Sequence, residues 1–189
     1  LSQIPGPSGY ENEIREAVRA EIEAYADEIR VDALGNLIAR KAASGAKPSG
    51  QRVMLSAHLD EIGIIATHID ENGFVRFSNL GGVFPRYTPA GRVRFLNGAA
   101  GVIDTEKIES SFRVPPIDEM FIDVGASSRA DCLVKVGDVA VFERPFSEMG
   151  NRLVSKAMDD RVSVAILIAA LKALKASPHD LYFVFSVQE

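Results

Sequence analysis

Residues 159–189 read DDRVSVAILIAALKALKASPHDLYFVFSVQE, and the order of patterns in this stretch decides the fold. Residues 162–176 are apolar nearly all round a helical wheel, so this helix is expected to be buried on more than one side. The polar run SPHD at 177–180 closes it, and LYFVFSV at 181–187 has the character of a buried strand. A second run of that kind, VMLSA at 53–57, ends at His58. Short apolar runs bounded by polar residues fit buried strands of a parallel sheet. Strand, helix and strand give an α/β domain.

Outward from this stretch, SGYE at 8–11 has the spacing of a capping box. Ile14, Ala17, Val18, Ile22 and Tyr25 then repeat at helical spacing, which predicts an amphipathic helix over 9–26. EIRVD at 28–32 and LIARK at 37–41 flank the turn LGN at 34–36 and predict a hairpin. Residues 43–50, rich in Ser, Gly, Lys and Pro, are expected to form an exposed loop. Helical periodicity is missing from 68–150. Short β-type runs at 74–77, 92–95, 120–124 and 139–142 stand between turn signals at 71–73, 81–82, 97–98 and 135–138. This predicts a small β barrel or sandwich inserted into the α/β domain. The expected domains are therefore 1–67 and 151–189 of one catalytic-type unit, interrupted by 68–150. A chain ending on its most hydrophobic strand is unusual, so the sequence is expected to be the front part of a longer protein.

The 189 residues carry 21 Lys and Arg against 26 Asp and Glu, a net charge of −5. That balance does not match the basic stripe of a nucleic-acid binder. Hydrophobic residues at 47% and charged residues at 25% are ordinary for a globular chain and argue against disorder. Cys132 is the single cysteine, so neither a disulfide framework nor a cysteine-cluster zinc site is available. No apolar run reaches the roughly 18 residues of a membrane span. Residues 1–8 lack the basic start and apolar core of a signal peptide. A cytoplasmic globular protein is the expectation.

Three sets of residues could carry chemistry. In His58-Leu59-Asp60, positions i and i+2 of extended chain share a side, and a metal-binding imidazole is often held by a carboxylate. The alternative is a strand-end histidine bonded to backbone, with Asp60 beginning a turn. Asp159-Asp160 precedes the buried helix. One of the pair could be an N-cap, but two adjacent carboxylates repel each other unless a cation is near. Glu189 follows the second strand run, where a solvated glutamate is the bland reading. Ligands of open α/β sheets bind beyond the carboxyl ends of the strands; His58 and Glu189 both follow strand runs, Asp159 enters the helix between them, and the three sets are expected to converge on one edge. His68 and His179 are read as structural or solvated.

The runs PGPSGYE at 5–11, MLSAHLDEIG at 54–63, IDVGAS at 122–127 and KAMDDR at 156–161 together resemble successive signatures of the tetrahedral aminopeptidases. These are relatives of glutamyl aminopeptidase, sometimes labelled endoglucanases. The resemblance runs in order from about residue 5 to residue 189. It implies a zinc-peptidase-like metallo-aminopeptidase domain interrupted by an all-β, barrel-like insertion. It also implies two divalent metal ions per subunit, zinc or cobalt, with manganese a third option. His58 then corresponds to a metal ligand, Asp60 to the carboxylate that orients it, and Asp159 to a ligand bridging both metals. The Asp159–Asp160 bond is implied to be cis, and Glu189 falls on the general base. A second Glu, an Asp and a His that complete the ligand set lie downstream in the family and have no counterpart here. The 189-residue chain alone is therefore expected to be inactive.

The resemblance further implies that the insertion at 68–150 makes subunit contacts in a tetrahedral dodecamer, with peptides as substrates; from the charge balance and the apolar runs, neither nucleic acid nor membrane is expected as a partner. One departure is visible: Val83 stands after Gly81-Gly82, where Trp is expected. Rival readings are a related metallo-carboxypeptidase or deacylase, whose extra domain usually comes later and is α+β. An endoglucanase would use two carboxylates flanking a sugar cleft and leave His58 and the Asp pair without a role. A truncated, non-catalytic relative serving as an assembly or peptide-binding subunit is the third.

Overall fold

The computed structural model describes residues 1–44, 50–106 and 113–189; the centre of the loop expected at 43–50 lies outside them. In chain order the elements are α1 (Asn12–Ile22), β1 (Glu28–Val31), β2 (Leu37–Lys41), β3 (Arg52–His58), β4 (Gly63–Ile69), β5 (Val75–Leu80), β6 (Arg92–Phe95), β7 (Ala100–Thr105), β8 (Met120–Asp123), β9 (Val139–Phe142), β10 (Ser147–Met149), β11 (Arg152–Val154), α2 (Met158–Ala173) and β12 (Asp180–Ser186). They form two compact units: Leu1–Asp60 with Ala157–Glu189, and the intervening Glu61–Lys156.

In the first unit α1 buries Ile14, Val18 and Ile22, the stripe that its periodicity predicts. The helix is shorter than 9–26, and Ser8 does not cap it. Glu11 stands at the N-cap and makes no capping bond from its side chain. The predicted hairpin is present as antiparallel β1 and β2. Asp32 builds its turn: Oδ1 accepts the N–H groups of Leu34, Gly35 and Asn36. The Asn36 side chain donates to Oδ2, and this bond above all holds the Asp32 carboxyl below its ordinary pKa.

The sheet order is β1-β2-β12-β3. β12 is antiparallel to β2 and parallel to β3, with Asp180 opposite Arg52 and Ser186 opposite His58. Leu37, Ala39, Ala57, Phe183 and Phe185 lie in one core with the buried residues of α1 and with Val164, Leu167, Ile168 and Leu171 of α2. Two expectations need correction. β3 is parallel to β12 but not buried: it is the edge strand, so Val53 and Met54 are exposed, the latter by 70%. α2 is buried along one face rather than several, and Val162 and Ile166 are exposed on it. The sheet lies along one side of the helix, and no described element covers the other. α2 also ends at Ala173, short of the expected 176.

The second unit is a closed barrel of order β4-β5-β8-β7-β6-β9, all pairs antiparallel. Alternation fills it: Val93 and Phe95 of β6, Ile103 of β7 and Ile122 of β8 point into one core. Gly101 permits the close approach of β7 to β8, since a Cβ there would stand 2.4 Å from Ile122 Cγ2. Val83, at the position where Trp is expected, is buried in this core. The unit starts at Glu61, ahead of the expected 68, because GIIATHI at 63–69 is the first barrel strand, with Ile64 and Ala66 inward and His68 exposed. It extends past 150 because β10 and β11 form an exposed two-stranded ribbon.

The two ends of this unit are tied together. Lys156 Nζ stands 2.6 Å from Glu61 Oε1, with side chains 8% and 3% exposed. Removing one partner of a buried pair leaves the other charge stranded in a poorly solvated site. Lys156→Met is expected to cost about 3–5 kcal/mol of stability, read by urea unfolding, and Glu61→Gln in the same chain to recover part of it. An unchanged midpoint for Lys156→Met would count against the pair. No helix of the described residues is long and apolar enough to cross a membrane.

Candidate functional site

Parallel pairing brings the site together. Ser186 of β12 sits opposite His58 of β3, so both strands end at one edge, and the chain runs on from them to Asp60 and Glu189. His58 is held from both sides: Nδ1 is 3.0 Å from Asp60 Oδ1, and Nε2 is 3.1 Å from Asp159 Oδ1. The two carboxylates differ in setting. Asp60 is 5% exposed, accepts the Ser8 hydroxyl on Oδ2 and the Glu189 N–H on Oδ1 at 3.1 Å. The Asp159 side chain is 95% exposed. Asp60 is therefore a fixed anchor, while Asp159 presents its oxygens outward.

Burial opposes charging of His58. Hydrogen bonds to Asp159 and Asp60 and the negative charge of both outweigh it, so the pKa is raised above the ordinary 6.5. The charged form belongs to the folded state: its contribution to stability is fully present below the unfolded pKa and fades as pH rises through the folded value.

Asp159 and Asp160 do not cap α2. Ala157 is the N-cap, in the left-handed region, and no side chain caps the helix. Both aspartates have non-helical backbone angles, and the bond between them is cis. Regular turns begin at Arg161, which is 2% exposed. Its Nε donates to the carbonyl of Leu59, the residue between His58 and Asp60, and its Nη1 to the carbonyls of Leu1 and Ile4. Gly6 leaves room for this guanidinium, for a Cβ there would meet Arg161 Nη2 at 3.0 Å and Ile14 Cγ2 at 2.8 Å.

Glu189 reaches the edge through its backbone, and its side chain is exposed. His68 lies in barrel strand β4, outside this unit. His179 is at the start of β12, at the end opposite Glu189, where its N–H donates to Ser177 Oγ. Among the described residues no group of three or more His, Cys, Asp or Glu stands close enough to hold a metal ion. Sequence reasoning missed the bonds of Ser8 to Asp60, of Glu11 to the Gln188 N–H, of Asn36 to the Val187 N–H and of Arg161 to the Leu59 carbonyl. The spacing SGYE drew attention to Ser8 and Glu11 but for the wrong partner.

An α/β unit interrupted by a closed barrel, with a histidine held between two carboxylates at a strand edge, defines the fold and the candidate site. Residues 35–189 match the family described as M42 glutamyl aminopeptidase, and the chain belongs to it. A protein of Acetivibrio thermocellus is 46% identical over 189 residues, covering 98% of this chain and 56% of that protein. An aminopeptidase of the archaeon Desulfurococcus kamchatkensis superposes with a TM-score of 0.93 at 37% identity, over 100% of this chain and 54% of that one. The TET1 peptidase of Pyrococcus horikoshii, described as able to assemble into a tetrahedron or a large octahedral shell, gives 0.87 at 36% identity, over 100% and 59%. The chain thus spans a little more than half the length of the relatives it matches.

Proposed function

We propose that the whole protein is a metal-dependent aminopeptidase that removes N-terminal residues from peptides. The observation that carries this reading is His58 held between buried Asp60 and exposed Asp159. The donor chemistry fits a divalent ion. Two ligands about 2.1 Å from a tetrahedral ion stand roughly 3.4 Å apart, close to the 3.1 Å between His58 Nε2 and Asp159 Oδ1. His58 and Asp159 are the ligands this chain supplies. The remainder of the shell is assigned to the part of the whole protein outside the matched stretch. Two ions of zinc, cobalt or manganese type would polarise the scissile carbonyl and lower the pKa of the attacking water.

The chain's own residues do the rest. Asp60 fixes the His58 tautomer by accepting from Nδ1, which leaves Nε2 for ligation. Glu189 takes a proton from the attacking water and passes it to the leaving amine. Copies of the chain are proposed to associate into a closed shell, twelve in the tetrahedral form, through the barrel unit. Its ribbon exposes Met149, Leu153 and Val154, an apolar group of the kind that marks an interface.

Activity is expected to require a free N-terminus, to disappear with chelator, and to return with zinc or cobalt. A metal-loaded whole protein that cleaves only N-blocked peptides, or none, overturns the reading. Ligation displaces the proton on Nε2, so metal affinity should fall as pH drops through the raised His58 pKa. In metal-free protein the His58 ring should titrate above 6.5 by NMR; a midpoint below that value contradicts the geometry.

A further inference from the structure

The three N–H groups that follow the buried part of β12 are all captured by side-chain oxygens, each from a different segment. Val187 N–H donates to Asn36 Oδ1 at 2.9 Å, Gln188 N–H to Glu11 Oε1 at 3.2 Å, and Glu189 N–H to Asp60 Oδ1 at 3.1 Å. Gln188 and Glu189 have φ of 55° and 52°. Residues without the freedom of glycine enter that left-handed region rarely, and hold it where their surroundings fix them there. The chain therefore turns sharply as it leaves the sheet, and the turn is secured one amide at a time.

The two acceptors outside the His58 cluster are themselves fixed. Glu11 is 5% exposed, and its Oε1 also takes the N–H of Gly9 at 2.8 Å. Asn36 donates its amide N–H to Asp32 Oδ2 at 2.9 Å, which settles which way the amide faces and aims Oδ1 at Val187. The local bonds to Gly9 and Asp32 orient these side chains but do not account for the reach of their oxygens to the end of β12. Glu11 does not cap α1 with its side chain, and the turn between β1 and β2 is already closed by Asp32.

We infer that Glu11 and Asn36 are positioning residues for Glu189, setting the turn that presents its carboxylate to the water it deprotonates. This rests on the reading of Glu189 as general base. A base displaced by even an ångström from its proton loses rate, whereas substrate binding elsewhere is untouched. The expected signature is a fall in kcat with KM and metal content unchanged. Glutamine at position 11 keeps a carbonyl oxygen able to accept both N–H groups, so it should rescue what alanine loses.

The test uses the whole, metal-loaded protein. Glu11→Ala is expected to lower kcat by about ten- to a hundredfold at constant KM and metal content, Glu11→Gln to restore most of it, and Asn36→Ala to repeat the selective loss. Amide hydrogen exchange gives a readout independent of turnover: protection over 187–189 should drop in both alanine variants and not in Glu11→Gln. Full kcat in Glu11→Ala, equal losses in Glu11→Gln and Glu11→Ala, or unchanged exchange over 187–189 overturns the inference. If Glu11→Ala does not fold, Asn36→Ala decides by the same two readouts. Failure of the aminopeptidase reading shows separately, as a wild-type protein that is inactive with metal bound.

Discussion

Glu189→Gln is expected to lower kcat of the whole, metal-loaded protein by roughly 10²–10⁴-fold and to leave KM near its wild-type value. Glutamine has the shape of glutamate and keeps the backbone N–H that Asp60 accepts. What it lacks is a basic oxygen. A general base acts in the transition state, so its loss falls on kcat and not on the binding of the peptide. The control is metal content, because a base that is not a ligand can be removed without emptying the site. Steady-state kinetics on a substrate with a free amino terminus, with bound metal quantified in parallel, makes the comparison. Wild-type kcat in Glu189→Gln would take the proton-transfer role away from this residue.

A loss of stability as large as that of Lys156→Met, about 3–5 kcal/mol, is expected from Arg161→Met. Methionine replaces the stem and removes the guanidinium donors from the carbonyls of Leu59, Leu1 and Ile4; of these, Leu1 keeps the Ile4 N–H. A buried carbonyl that loses its partner keeps its desolvation cost, which falls in full on Leu59 and in part on the half-buried Ile4. The Leu59 carbonyl also belongs to the peptide linking His58 to Asp60, so the damage is expected to reach the site as weaker metal binding. Urea unfolding with an unchanged m-value gives the number. A loss below about 1 kcal/mol would mean that the segments joined by this guanidinium hold together by apolar packing alone.

Much of the fold was legible because local patterns and tertiary environment agree. The i, i+4, i+8 stripe Ile14, Val18, Ile22 is buried as expected, the LGN turn does join a hairpin, and the Gly-punctuated middle closes into a barrel. The misreadings share a cause. Ser8 and Glu11 carry the spacing of a local cap, yet Ser8 bonds to Asp60 and Glu11 to Gln188. Spacing records what a residue can do nearby and not which distant group competes for it. Val53, Met54, Val162 and Ile166 have the character of buried residues and are exposed. Hydrophobicity states a need for cover without naming what supplies it. The approach of Glu189 to the His58 edge was foreseeable from strand ends, because parallel neighbours end on the same edge, and the meeting of His58 with Asp159 from the entry of the helix between those strands. The roles of Asn36 and Arg161 were not, for each acts through contacts more than a hundred residues away in sequence.

The buried pair of Glu61 with Lys156 has a bearing on the order in which the chain folds. The α/β unit is discontinuous, and its sheet cannot place α2 and β12 beside β3 until the chain on either side of the barrel has been drawn together. Closing so long a loop in a random chain carries an entropic cost that grows with its length. A barrel that folds first, its ends clamped by that pair, turns the long detour into a short bridge, and the parallel pairing of β3 with β12 then becomes a nearly local event. Weakening the clamp should therefore slow the assembly of the sheet more than that of the barrel.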